Sequence, residues 1–149
     1  MKKILGLCCA LLCATAVSAQ MKDPSSWTYE VKQVDKGEYD LLFKLKLEKN
    51  WHIYATHPGA DSSLIPPTFD FKKGKYTAEG KTIEISGKVT VAKLEGVEGE
   101  VHYYKDNVVY RQRVKASHGA NIKGEHSYQL CSDSICLPPK TKPFAFHIP

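Results

Sequence analysis

The segment Cys131-Ser132-Asp133-Ser134-Ile135-Cys136 places two thiols five positions apart, close enough in the chain to pair in an oxidising compartment. Two chemistries are open to such a pair. It can be a plain hairpin staple, or a dithiol that opens and closes by exchange with other proteins. As a staple it does little: a loop of about six residues stabilises by roughly 2 kcal/mol, against roughly 4.7 kcal/mol for a loop of about 100 residues. A domain of this length buries enough surface to fold without one. The placement therefore favours exchange without establishing it. A zinc site built from His126, Cys131 and Cys136, with His118 and His147 in reach, would need a spacing that zinc proteins do not ordinarily use. A cysteine-protease nucleophile needs a lone thiolate beside a histidine base, and a second cysteine so near would oxidise it. There is no C-x-x-C and no βαβ pattern, so the thioredoxin arrangement is absent. Neither a metal nor a cofactor is expected.

Other residues could act on such a pair. Asp133 lies between the cysteines, and a carboxylate beside a thiol disfavours its thiolate. His52 and His57 flank the aromatic stretch at Tyr54, although surface histidines are the commoner case. Arg111 and Arg113 alternate along one stretch and share a face, either solvated or offered to an acidic partner. Tyr103, Tyr104 and Tyr110 could be sandwich core or cross-strand pairs, and Trp51 reads as core.

Whether the cysteines meet an oxidising compartment depends on the other end of the chain. Met1-Lys2-Lys3 is basic, Ile4 to Leu12 is apolar, and Val17-Ser18-Ala19 is a small-residue exit. This is the pattern of a secretory signal peptide cleaved after Ala19. It implies a leader over 1–19, a single domain over 20–149, and export. Cys8, Cys9 and Cys13 fall in the leader, so the five cysteines become two. None of the three follows a small residue, which argues against a lipid-anchored cysteine. Without Lys2 and Lys3 the basic residues fall from 21 to 19 against 16 acidic ones, a net charge of +3. That balance, with export, gives no case for nucleic acid. After Ala19 no apolar run exceeds three residues, so no stable membrane insertion is expected.

The remaining chain must position the cysteines, and its period is two. Trp27, Tyr29 and Val31 alternate with polar neighbours, as do Leu41, Phe43, Leu45 and Leu47. The pattern returns at Phe69 and Phe71, Ile83 and Ile85, Val89 and Val91, and Val108, Tyr110 and Val114. It closes with Tyr128 and Leu130, then Phe144, Phe146 and Ile148. Alternation of this kind predicts antiparallel strands with one buried face. Gly and Pro cut the chain into short pieces, among them Lys36-Gly37, Pro66-Pro67, Gly87, Gly124 and Pro138-Pro139. Eight or nine strands in this length predict an all-β, two-sheet antiparallel β-sandwich. The widely separated inter-sheet cysteines of an antibody domain are missing.

The run from Tyr128 to Lys142, with Tyr-Gln-Leu-Cys, a short loop, then Cys-Leu-Pro-Pro and Thr-Lys, resembles the cysteine segment of the DsbD N-terminal periplasmic domain family. Asn50-Trp51-His52-Ile53-Tyr54, Ile65-Pro66-Pro67-Thr68-Phe69 and Val109-Tyr110-Arg111-Gln112-Arg113-Val114 resemble three further stretches of the same family. The resemblance implies an immunoglobulin-like fold with the cysteine hairpin near one end. It implies thiol:disulfide interchange, a protein-disulfide reductase chemistry, with thioredoxin-like redox proteins as partners and a membrane electron donor. By matching position, Cys131 would attack and Cys136 would resolve. Tyr54 would line the site, and Tyr103 and Tyr104 would be its aromatic cap. The cysteine loop is one residue shorter than in the best-known members. The sequence stops at Pro149, so electrons are expected from a separate membrane partner. The competing reading is a non-catalytic immunoglobulin-like binding module with a structural disulfide.

Overall fold

The structure, a computed structural model, describes residues 22–59 and 63–149; the expected leader lies outside them. The described residues form nine strands and no helix: β1 (Ser25–Asp35), β2 (Glu38–Leu47), β3 (His52–Gly59), β4 (Thr68–Phe71), β5 (Tyr76–Ala92), β6 (Val101–Ala116), β7 (Asn121–Tyr128), β8 (Leu130–Cys131) and β9 (Lys140–His147). All pairings are antiparallel. Six strands make the larger sheet, in the order β1-β2-β6-β3-β8 with β5 also on β6, and β4-β7-β9 make the smaller one. No helix among the described residues is long and apolar enough to cross a membrane.

The core follows from the alternation. Leu41, Phe43, Leu45 and Leu47 of β2 point inward, and meet Val108, Tyr110 and Val114 of β6 and Ile122, Phe144, Phe146 and Ile148 from the smaller sheet and the chain end beyond it. Phe43 is the hub, with ring centroids 4.8 Å from Phe69, 4.9 Å from Phe144 and 5.1 Å from Phe146. These edge-on contacts add to the burial of apolar area. Gly124 sits inside β7, although the sequence reads as a break there. A Cβ at this position would lie 2.2 Å from the Asp70 carbonyl oxygen and 2.4 Å from the Phe144 ring. Here glycine marks a close approach of backbones rather than a turn.

The sequence counts Ile83/Ile85 and Val89/Val91 as separate half-buried strands. They form the single long strand β5, and all four side chains are exposed. Three register shifts against β6 bend it, one of them at Gly87, whose φ is 128°. The smaller sheet has only three strands and does not reach across β5. Bends, glycines and lysines along an outer strand also discourage pairing with another chain.

One junction matters for the site. β2 and β3 lie in succession along the same edge of β6: Lys46 faces Asn107, and His52 faces Lys105. Between them the chain steps out at Glu48–Trp51, and Asp106 is left unmatched. Asn50 (φ 71°) and Asp106 (φ 66°) take the left-handed conformation there, which Asn and Asp tolerate best after glycine. The step starts β3 afresh, with His52 and Tyr54 facing away from the main core.

Candidate redox site

The cysteines arrive by a change of sheet. β7 belongs to the smaller sheet, the chain crosses at Gln129, and Leu130 and Cys131 join the larger sheet opposite Ile53 and His52. Gln129 Nε2 braces the crossing by donating to the Leu137 carbonyl at 3.0 Å. Alternation then sends Leu130 and Ile53 into the main core and Cys131 to the opposite, outer face.

The cysteine loop is a tight hairpin. Ser132 N–H donates to the Ile135 carbonyl at 2.7 Å, and Leu137 N–H donates to the Leu130 carbonyl at 2.9 Å. The Ser132 hydroxyl accepts from the Ser134 and Ile135 amides, each at 3.2 Å. These bonds bracket Cys131 and Cys136, which therefore form a non-hydrogen-bonded pair, the kind whose Cα atoms approach most closely. Their Cα atoms are 4.0 Å apart and their sulfurs are joined in a disulfide. The two ends of that bond differ. Cys131 is 1% exposed, whereas Cys136 is exposed beside Ile135, itself 55% exposed.

Cross-strand neighbours share a face, and the register therefore builds two rows on the outer surface of the larger sheet. Cys131, His52 and Lys105 form one row across β8, β3 and β6; Tyr54 and Tyr103 form the next. Tyr54, Val101, Tyr103 and Cys131 pack as a second apolar cluster, separate from the main core, with Leu64, Leu94 and Val97 against it. Leu94 and Val97 come from the β5–β6 connection and Leu64 from the chain after β3, so side chains from outside the sheet pack against the cluster that holds Cys131. Burial raises the Tyr54 hydroxyl above its usual range, with Tyr103 adding to it, so it stays protonated.

Of the residues singled out in the sequence, Cys131, Cys136, Tyr54 and Tyr103 come together. Tyr103 lies within strand β6 and not in a loop. Tyr104, its neighbour, points to the other face and packs against the main core. Tyr110 is fully buried in that core and Trp51 packs against it. Arg113 grips the buried Asp40, with Nη2 at 3.1 Å from Oδ2, and Arg111 approaches the same carboxylate at 3.9 Å. Their shared face is thus held by an ion pair. His126 lies in the main core, in ring contact with Trp27 and Tyr128, away from the cysteine cluster. No group of three His, Cys, Asp or Glu among the described residues could hold a metal.

His52, which the sequence offered beside Tyr54 but weighed as a commoner surface histidine, lies within the site. It is the strand partner of Cys131, only 7% exposed, with its ring 4.8 Å from that of Tyr103 and 5.6 Å from that of Tyr54. Burial holds its imidazole below the usual histidine range. Lys105 pushes the same way, and Asp133 opposes. Its Nε2 is buried with no hydrogen-bond partner. The available signal was its spacing of two from Tyr54, which puts both on one face of a strand. The covering residues Leu94 and Val97 carried only the weak signal of apolar side chains in a glycine-rich connection.

A protein-family model described as thiol:disulfide interchange protein DsbD, N-terminal, matches residues 19–148. The chain belongs to the DsbD N-terminal family. Among solved structures it is similar to the N-terminal periplasmic domain of ScsB from Proteus mirabilis, with 16% identity and a TM-score of 0.61; the match covers 85% of this chain and 47% of that one. The chain thus spans about half the length of that structure. It is also similar to the reduced DsbD N-terminal domain of Neisseria meningitidis, with 14% identity and a TM-score of 0.46, covering 83% of this chain and 90% of that one. A search of curated protein sequences finds no match. Membership in the DsbD N-terminal family carries the immunoglobulin-like β fold and marks the chain as a thiol:disulfide interchange domain. The match encloses the whole cysteine hairpin.

Proposed function

We propose that the domain works as a dithiol/disulfide couple in the periplasm, taking electrons from a membrane donor and passing them to thioredoxin-like redox proteins. The observation that carries this reading is the asymmetry of the Cys131–Cys136 pair: Cys136 is exposed on the returning arm of the hairpin, and Cys131 is buried in the cluster with Tyr54, Val101 and Tyr103. A staple has no use for such a division. A relay uses one sulfur to meet partners and a protected one to release them.

Exposure favours the reverse of the roles that the family resemblance implied. Exchange requires in-line access to a sulfur, and Cys136 is the one a folded partner reaches. In the reduced domain the Cys136 thiolate attacks a partner disulfide, forming a Cys136–partner bond and releasing the partner's second sulfur as a thiolate. Cys131 then attacks Cys136 Sγ, closes the Cys131–Cys136 bond and expels the partner's first sulfur. Two electrons leave the domain and the partner becomes a dithiol. Tyr54 and Tyr103 wall the buried sulfur and keep water from it.

The test is direct transfer. Reduced domain mixed with an oxidised thioredoxin-like protein, quenched in acid and alkylated, is expected to show thiols moving between the proteins faster than from a free dithiol at equal concentration. Transfer no faster than from the free dithiol would leave the binding module with a structural disulfide as the better reading.

A further inference from the structure

Once Cys136 is engaged with a partner, the resolving step depends on Cys131. Its sulfur sits in an apolar cluster, and burial of a thiol disfavours the thiolate that must attack. The site therefore needs something that takes a proton from a buried sulfur. The helix N-terminus that often depresses a thiol in other exchange proteins is missing among the described residues, which form strands only.

We propose that His52 is the proton acceptor for Cys131 in the resolving step. This rests on the exchange reading above and deepens it. His52 is the direct cross-strand partner of Cys131, so the two side chains leave adjacent strands on the same face. It is more than nine-tenths buried, and its Nε2 has no hydrogen-bond partner. A buried polar nitrogen without a partner is costly and calls for a reason. The redox state supplies one. In the disulfide the sulfur carries no hydrogen. In the reduced domain Cys131 carries an S–H, which can donate to the imidazole lone pair. The vacancy at Nε2 belongs to one half of the redox cycle and is filled in the other.

The surroundings suit the task. Tyr54 meets the ring edge-on from β3 and Tyr103 at a tilt from β6. Lys105 flanks it on β6, and Asp133 faces it from the cysteine hairpin. With burial and Lys105 against the imidazolium, the ring rests neutral at neutral pH and is ready to accept. The transfer balances. Nε2 takes the Cys131 proton and the Cys131 thiolate attacks Cys136 Sγ. The Cys136–partner bond breaks, its electron pair leaving on the partner sulfur. The imidazolium then gives up its proton to that leaving thiolate or to water. Lys105, next in the row, stabilises the thiolate while it lasts.

The experiment uses the reduced domain and one equivalent of dithiobis(nitrobenzoate), whose released thiolate is coloured. The first release reports attack by Cys136, the second reports resolution by Cys131. In a His52→Gln variant the second phase is expected to slow by at least about tenfold at neutral pH, a modest share of what a positioned base contributes. Its rate is then expected to follow thiol ionisation alone, while the first phase keeps its rate. A second phase unchanged in rate and pH profile overturns the role of His52. If the wild-type domain itself gives no second release, the exchange reading fails instead. Should His52→Gln not fold, the wild-type imidazole is titrated by NMR in both redox states. The proposal expects its midpoint to move on reduction, and an unmoved midpoint overturns it.

Discussion

A Cys131→Ala variant is expected to stall with its partner attached. Cys136 remains exposed and free to attack, but nothing is left to expel the partner sulfur, so the mixed disulfide persists and turnover is lost completely. Cys136→Ala is expected to do the opposite: the remaining thiol, on Cys131, is buried in the cluster with Tyr54, Val101 and Tyr103, and little or no adduct forms. Non-reducing gels after mixing each reduced variant with an oxidised thioredoxin-like protein separate the two outcomes. The comparison is fair because neither variant should unfold. Losing the disulfide opens a loop of only about six residues, at a cost of roughly 2 kcal/mol, and the main core around Phe43 is independent of it. Adduct on the Cys136→Ala variant and none on Cys131→Ala would restore the roles that the family resemblance implied and would contradict the argument from exposure.

The second large effect concerns acid. His126 is 0% exposed, wedged against Trp27 at 4.3 Å between ring centroids. Its Nε2 meets the Tyr29 hydroxyl at 2.9 Å, and its Nδ1 has no partner. Burial, helped by Lys142 and opposed by Asp23, takes its pKa from 6.5 to about 4. The folded domain therefore refuses a proton that the unfolded chain accepts. Above pH 6.5 both states are neutral and the stability is fully present. As pH falls from 6.5 towards 4 the unfolded state gains the proton alone, and stability drops by about 3 kcal/mol. Urea unfolding at intervals from pH 7 to pH 4 measures this, and a His126→Leu variant should lose most of the slope. Stability flat over that window would contradict the assignment. Asp23 acts lower down. Burial alone would raise its carboxyl, but Lys142, Ser25 and Tyr128 outweigh that and hold it at about 2. Its contribution is present above 3.8 and lost as pH falls through 2, outside the window of His126.

Period-two alternation made most of the sandwich legible, because a buried face imposes it wherever a second sheet lies opposite. It misled at β5, where Ile83, Ile85, Val89 and Val91 alternate as though covered and are not. A single strand's pattern does not say how far the opposing sheet extends. Gly124 looked like punctuation for a similar reason: a glycine that admits a neighbour's backbone and one that turns the chain read alike. At the site, Cys131 and Cys136 stood out by spacing, and Tyr54 and Tyr103 came through the family resemblance. The exposure difference between the two cysteines was invisible, since it depends on the sheet change at Gln129 and on the cluster that buries Cys131 with Tyr54, Val101 and Tyr103. His52 was present in the right strand, but only the register that sets it against Cys131 gives it a role.

A Cys131–Cys136 bond that opens and closes in service must be reducible by its partners. The most direct measurement is its reduction potential in the folded domain, by equilibration with thiol buffers and trapping of free thiols. A value of about −180 to −270 mV, among exchange proteins, is expected. A value below about −300 mV, where structural disulfides lie, would contradict it.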